Sequence, residues 1–379
     1  MSKRMRRASH SLIAATVVVA VGVSAPTPGP VASRRAVTSR IELSAVVTPG
    51  TATNPDATGI DDFYGVDWNA TYGPTVVATF HLLRDQIQVD AIDDALKSNP
   101  EPNVVLTSGR GAGNASALIS SYVRDADPTL YRTQWLLDNN IDRPNGGYAT
   151  RLPFFAAVGV NPCPTPTTTG ADIIDIGYEY AWNSDVPLYI TNPLALLNSI
   201  TEYAYRYRRQ DSVVLPDALL NPDGSVNFGA APGHYVVDTD GAVSFAPLSA
   251  DNTTVYVTYK SNGLAILRPF RDFGGKGGQI FADLVEPALK VIIDAGYPNN
   301  DPLSAPDVYT PMRLFAPPKV LLTAAERLPA AIEQGIAAAI ADLKSRPKAA
   351  PATNKHATTK KHATVKKAAG STGTGHSKR

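Results

Sequence analysis

The stretch Val104-Val105-Leu106-Thr107-Ser108-Gly109-Arg110-Gly111-Ala112-Gly113-Asn114-Ala115-Ser116 decides how this chain reads. Val104 to Leu106 supply an apolar strand end, and Gly111, Ala112, Gly113 and Ala115 supply the small face of a following helix. A strand that turns sharply into a small-residue helix is the outline of a nucleophile elbow, whose strained turn tolerates little side-chain bulk. Placing Arg110-Gly111-Ala112 on the usual x-G-A puts Gly109 at the tip and Thr107 at the first glycine. The elbow is present, and its attacking oxygen is missing.

Working outward, Pro74 to Phe80 reads as the first good strand and Ile87 to Lys97 as a helix stopped by Pro100 and Pro102. Ala115 to Val123 continues the helix after the elbow, and Thr133 to Leu137 is a strand ending at the turn-rich Asp142-Arg143-Pro144-Asn145-Gly146-Gly147. Alternating strands and helices predict an α/β fold, α/β-hydrolase-like, with a mostly parallel sheet and helices on both faces. Ligands in such sheets gather at the carboxyl ends of the strands, where Thr107–Gly111 and 139–147 both lie. Further on, Ile173 to Ile176 reads as a strand and Pro193 to Arg206 as a helix. The turns within 221–247 and the alternating Val255, Val257 and Tyr259 read as β-hairpins. Ile280 to Ala295 is an amphipathic helix interrupted at Pro287. Leu321 to Leu343 is an Ala-rich helix whose row Leu328, Ile332, Ile336 and Ile340 is expected to pack on the core.

The chain has 379 residues and 44% apolar content, enough to fill a sizeable core. Lys3, Arg4, Arg6 and Arg7 precede the apolar run 12–23, and Val23-Ser24-Ala25 has the small residues of a cleavage site. Residues 1–25 therefore read as a secretory signal or an uncleaved N-terminal anchor, and the expected location is secreted or attached to the cell envelope. Residues 26–58 are rich in Pro, Thr and Ala and read as a linker, leaving 59–343 as the folded domain. The single Cys163 excludes an internal disulfide. The whole chain carries +1, but residues 344–379 carry +10 with no Asp or Glu, so 1–343 sum to −9. Such a tail cannot bury enough apolar surface to order itself, and reads as disordered. It is either a tether to an anionic envelope polymer or lipid, or a solubilising appendage. It interleaves no aromatic residues for base stacking, which argues against nucleic acid. His356, His362 and His376 are spaced too loosely for a metal site, no H-E-x-x-H occurs, and no cofactor is implied.

Several separated segments share a resemblance. They are Arg143-Pro144-Asn145-Gly146-Gly147 with Arg151-Leu152-Pro153, Asp185-Val186-Pro187-Leu188-Tyr189, Leu267-Arg268-Pro269-Phe270-Arg271, and Pro287-Ala288-Leu289 leading to Asp294-Ala295-Gly296-Tyr297. Together they resemble the PE-PPE domain proteins of mycobacteria over roughly residues 70–320. That resemblance implies an exported α/β-hydrolase with a Ser-Asp-His triad in that order, acting on acyl esters. In some relatives it implies acyl transfer between trehalose glycolipids. Each active position departs from the pattern here. The serine falls on Gly109, and the first acid falls on Ala181 while Asp185 keeps the second. The histidine segment reads Tyr203-Ala204-Tyr205-Arg206-Tyr207-Arg208-Arg209.

Triad chemistry needs a nucleophile in hydrogen-bond reach of a base, with a third group orienting that base. Ser108, Asp185 and His234 are in an allowed order for a displaced triad, although Ser108 also reads as a plain turn hydroxyl. His81 follows the first strand and either donates to an oxyanion or simply ends the strand. Thr107, Gly109, Arg110, Gly111, Asn145 and Gly146 complete the degenerate elbow and its pocket. Two readings follow. One is a catalytically impaired relative that binds acyl lipid or glycolipid at the cell envelope. The other is an active serine esterase, lipase or glycolipid acyltransferase using the displaced triad. A purely structural envelope protein is the third possibility, and oligomeric state is not read from the sequence.

Overall fold

Short apolar runs that end in turns become strands here, and the amphipathic runs between them become the covering helices. The computed structural model describes residues 44–48, 63–72, 76–77, 85–99, 102–206 and 213–344. Its strands are β1 (Ser44–Thr48), β2 (Val76–Val77), β3 (Asn103–Ser108), β4 (Thr133–Asp138), β5 (Ile173–Tyr178), β6 (Gly233–Val237), β7 (Val243–Ala246) and β8 (Val255–Tyr259). They form one sheet in the order β2-β1-β3-β4-β5-β8-β6-β7. Every neighbouring pair is parallel except β6 and β7. The helices are α1 (Trp68–Tyr72), α2 (Asp85–Ser98), α3 (Arg110–Asp125), α4 (Thr129–Arg132), α5 (Tyr148–Arg151), α6 (Pro193–Arg206), α7 (Arg268–Phe273), α8 (Gly275–Asp294) and α9 (Pro318–Lys344).

The two-residue period of β3 sorts its side chains between two cores. Val104 and Leu106 join one with Tyr64, Trp68, Ile176, Tyr178 and Val257. Val105 joins the other with Ile92, Leu96, Ala112, Ala115 and Ile119, where α2 and α3 cover the sheet. Both faces being covered, β3 and β5 are buried along their whole length, as a parallel sheet requires. The α/β expectation therefore holds.

Four local expectations are corrected. The segment 26–58 is not linker throughout, because Ser44–Thr48 forms β1 and pairs residue for residue with β3. Val76 and Val77 of the expected strand 74–80 do form β2, at the sheet edge, and the rest of that run lies outside the described residues. β6 and β7 form the expected hairpin, but β8 does not extend it; it enters between β5 and β6, parallel to both. α8 runs unbroken through Pro287.

The fourth correction concerns α9. Its buried positions are the small ones, Ala331, Gly335 and Ala339. A β-carbon at Gly335 would collide with the Leu284 carbonyl, so the two backbones touch there as only glycine permits. This close seam leaves the branched row beside it uncovered: Ile332, Ile336 and Ile340 are 47%, 46% and 44% exposed. The predicted signal segment, His81, and the basic stretch beyond Lys344 lie outside the described residues.

Candidate functional site

The elbow forms where the sequence places it. Gly109 follows Ser108 at the carboxyl end of β3 and precedes α3, with φ 55° and ψ −116°. That conformation is the strained turn on which a nucleophile sits in the α/β-hydrolase architecture. The Gly109 N–H donates to the Asp138 carbonyl at 2.9 Å, tying the turn to β4. Behind it, a β-carbon at Gly113 would meet the Ile141 side chain at 2.7 Å, so the small helix face serves close packing. Gly111 is buried in the same turn. No side chain caps the first turn of α3.

Asn183 and Arg110 stand beside the tip. A β-carbon on Gly109 would lie 3.2 Å from the Asn183 Nδ2, so that amide stands where a nucleophile side chain would project. Arg110 makes a bidentate ion pair with Asp85 at the start of α2, at 2.8 and 2.9 Å, both groups largely shielded. Burial raises the Asp85 carboxyl, and the Arg110 guanidinium opposes that rise. Trp182 stacks on Tyr148, whose N–H donates to the Asn183 carbonyl at 3.1 Å. Burial pushes the Tyr148 phenol up to about 12.

The displaced triad is not brought together. Ser108 turns to the core beside Tyr64 and donates to Asp138 at 2.6 Å. Tyr64 also donates to Asp138 and lies 2.5 Å from the Tyr178 hydroxyl. Thr107 is buried and donates to the Leu136 carbonyl at 3.1 Å. His234 stands on β6, four strands from β3 in the sheet order. Matched registers put its backbone about 19 Å from that of Ser108 at about 4.8 Å per strand, beyond the reach of an imidazole. His234 Nε2 is 2.9 Å from the Thr258 hydroxyl. The same hydroxyl accepts from Arg143 at 2.9 Å, which links the imidazole to the buried guanidinium. Burial, and then the Arg143 charge, push His234 down to about 3, too weakly basic to deprotonate a serine. Asp185 accepts from the Tyr180 N–H at 2.7 Å, and burial holds its carboxyl well above the usual range.

Asn145 and Gly146, expected to line a pocket, instead close loops. Asn145 donates to the Ser304 and Ala305 carbonyls, and Gly146, at φ 112°, packs its Cα against the Ser184 carbonyl and Asp185. Arg151 reaches Asn145 and the Val186 carbonyl. Arg143 threads past Gly177 into the sheet and pairs with Asp175 at 3.4 Å, both side chains almost fully buried. The crevice left among Arg143, Asn145, Asp185 and Thr258 holds about 10 Å³, scarcely one water. A roomier cleft of about 620 Å³ opens at the ends of β6 and β8, between Arg206, Leu215, Val237, Tyr259 and Lys260. It is three strands from the elbow. Its cations are already paired, Arg206 with Glu202 and Lys260 with Asp238. Among the described residues, no group of three or more His, Cys, Asp or Glu side chains is arranged to hold a metal ion.

Sequence reasoning missed Asn183 and Asp138. Asn183 lies between Ala181 and Asp185, in a stretch whose sequence pattern rests on its acidic positions and gives an amide no distinguishing mark. Asp138 ends an apolar strand directly opposite Ser108, and a lone carboxylate closing a buried strand was the available signal.

The PE-PPE domain matches residues 42–298, most of the described sheet and its helices. The chain belongs to the PE-PPE domain family. Three proteins of Mycobacterium tuberculosis illustrate the relationship. An uncharacterized PPE family protein, PPE28, is 29% identical over 236 residues, 59% of this chain and 31% of its own length. A second, PPE42, is 27% identical over 194 residues, 50% of this chain and 28% of its own length. A protein named Esterase PE16 is 28% identical over 218 residues, 56% of this chain and 36% of its own length. The chain thus spans about a third of the length of the curated relatives it matches. No solved structure matches it. The PE-PPE match starts at residue 42, just before β1, in agreement with the placement of that strand in the sheet.

Proposed function

We propose that this PE-PPE domain protein binds acyl lipid or glycolipid at the cell envelope without cleaving it. One observation carries the reading: Gly109 occupies the strained tip of the elbow, where covalent catalysis needs a hydroxyl. The other half of an acyl-ester site is independent of that hydroxyl, because its oxyanion donors are backbone N–H groups at the start of the helix. With no side chain capping α3, its leading N–H groups from Arg110 onward can receive an ester carbonyl. Asn183 adds a side-chain donor beside them. The relative named an esterase supports acyl esters as the ligand class. The N-terminal pattern of four basic residues, an apolar run and Val23-Ser24-Ala25 supports export. Among the described residues, no helix is long and apolar enough to cross a membrane.

The test treats the full chain with a fluorophosphonate probe and titrates it with a fluorescent acyl ester. The expected result is no covalent label, together with saturable binding that an unlabelled acyl glycolipid displaces. Labelling that disappears in Ser108→Ala would overturn the reading.

A further inference from the structure

We propose that α8 and α9 form a docking face for an anionic lipid bilayer, held there jointly by exposed apolar side chains and the basic segment that follows α9. The helices run antiparallel. Val320 near the start of α9 packs with Ala295 just past the end of α8, whereas Gly335 meets Leu284 and Asp342 lies beside Asp283. The seam uses small residues, and next to it α9 exposes Ile332, Ile336 and Ile340. On α8, Phe281, which packs one side on Phe270 of α7, and Ile292 are 44% and 39% exposed, beside Leu284 at the seam. Helical spacing puts Phe281 and Ile292 on the same rotational side of Leu284 as the isoleucine row is of Gly335, and in an antiparallel pair that opens both to one side. Apolar side chains of both helices thus face one side, as monomeric proteins seldom leave them.

Charge identifies the occupant. α9 ends at Lys344, and residues 344–379 carry +10 without one acid. An amphipathic helix continued by a polybasic segment combines the two signals that hold proteins at anionic bilayers. Glu326 and Glu333 flank the α9 row on its outer side, where they would stay in water while the isoleucines enter the interface. This surface lies on helices away from the elbow, so covalent labelling would overturn the proposed function and leave this inference standing.

Sedimentation of the full chain with vesicles of equal parts phosphatidylglycerol and phosphatidylcholine tests it. Wild type is expected to bind these vesicles, to bind pure phosphatidylcholine far more weakly, and to be released by salt. Ile332→Glu with Ile336→Glu is expected to lose at least about tenfold in affinity with an unchanged melting temperature, since both positions are half exposed. Lys360, Lys361, Lys366 and Lys367 all changed to Gln should lose a comparable factor. An independent readout is Ile336→Trp, whose emission should shift to the blue on adding anionic vesicles. Wild-type binding by the isoleucine variant, or no shift from the tryptophan, overturns the proposal. So does a wild-type dimer that the isoleucine variant converts to monomer without changing vesicle binding, because the face would then belong to a second copy.

Discussion

The Ser108 hydroxyl donates to the Asp138 carboxylate at 2.6 Å, one residue before the glycine that turns the chain. Successive side chains along a strand face opposite sides, so this serine is committed to the buried cluster with Tyr64 and Tyr178 and not to the elbow tip. Burial and the Asp138 charge raise both phenols well above their usual range, so they stay neutral donors to the carboxylate. Ser108→Ala is expected to cost about 1–2 kcal/mol, because Asp138 loses one donor and keeps the phenols. Urea unfolding measures that loss. Acyl-ester binding should not change.

Gly109→Ser restores the hydroxyl but not a base. The added β-carbon meets only the Asn183 amide, at 3.2 Å, and a side-chain end can yield by that amount. The cost should be about 1 kcal/mol, mostly from placing a side chain at φ +55°. Hydrolysis of a p-nitrophenyl ester should stay at the buffer rate. A burst of p-nitrophenol would reveal a base within reach of the tip.

Much of this arrangement was legible because local chemistry and tertiary structure agree. Gly109 could be placed at the tip from the string Val104 to Ser116, since a strained turn and close helix packing both demand small residues at fixed offsets. α6 was read from Pro193 to Arg206 as it stands, with proline at its first position and arginine at its last. β1 was not legible. Ser44–Thr48 sits among Pro, Thr and Ala, and its strand character comes from pairing with β3, which local composition does not encode. Nor was the burial of α9: the apolar spacing of Ile332, Ile336 and Ile340 is correct for a core face. Gly335 and its alanine neighbours take that place because backbone approach to Leu284 outweighs side-chain size. The Arg143 segment supported the family resemblance, but its architectural role needed coordinates, since Arg143 and Asp175 are far apart in sequence.

Gly177→Ala tests that role. A β-carbon there would occupy the place of the Arg143 guanidinium, and the rigid strand leaves the guanidinium as the group that must move. Displacing Arg143 leaves Asp175 buried without its counter-charge and removes the donor to Thr258. Breaking one partner from a buried pair costs about 3–5 kcal/mol. The variant should be largely unfolded or insoluble at room temperature by circular dichroism, although the change adds a single methyl group.

His234 gives a dependence on pH whose sign can be worked out. Its folded value lies near 3, below the ordinary 6.5, because burial and the Arg143 charge oppose the imidazolium. Between those values the unfolded chain holds a proton that the folded chain does not, so stability is complete above about 6.5 and falls as pH drops toward 3. Asp175 works the other way. Burial pushes its carboxyl up to about 6, so the folded chain takes up a proton first, and stability is gained as pH falls from 6 toward 4. The two partly cancel in wild type, and removing the imidazole exposes the difference. His234→Gln keeps a hydrogen-bond partner for Thr258 without a titrating ring. Relative to wild type, the variant should gain on the order of 2 kcal/mol between pH 7 and pH 4.5. Urea midpoints for both proteins at the two pH values measure this, and equal losses on acidification would show that His234 does not titrate as its surroundings require.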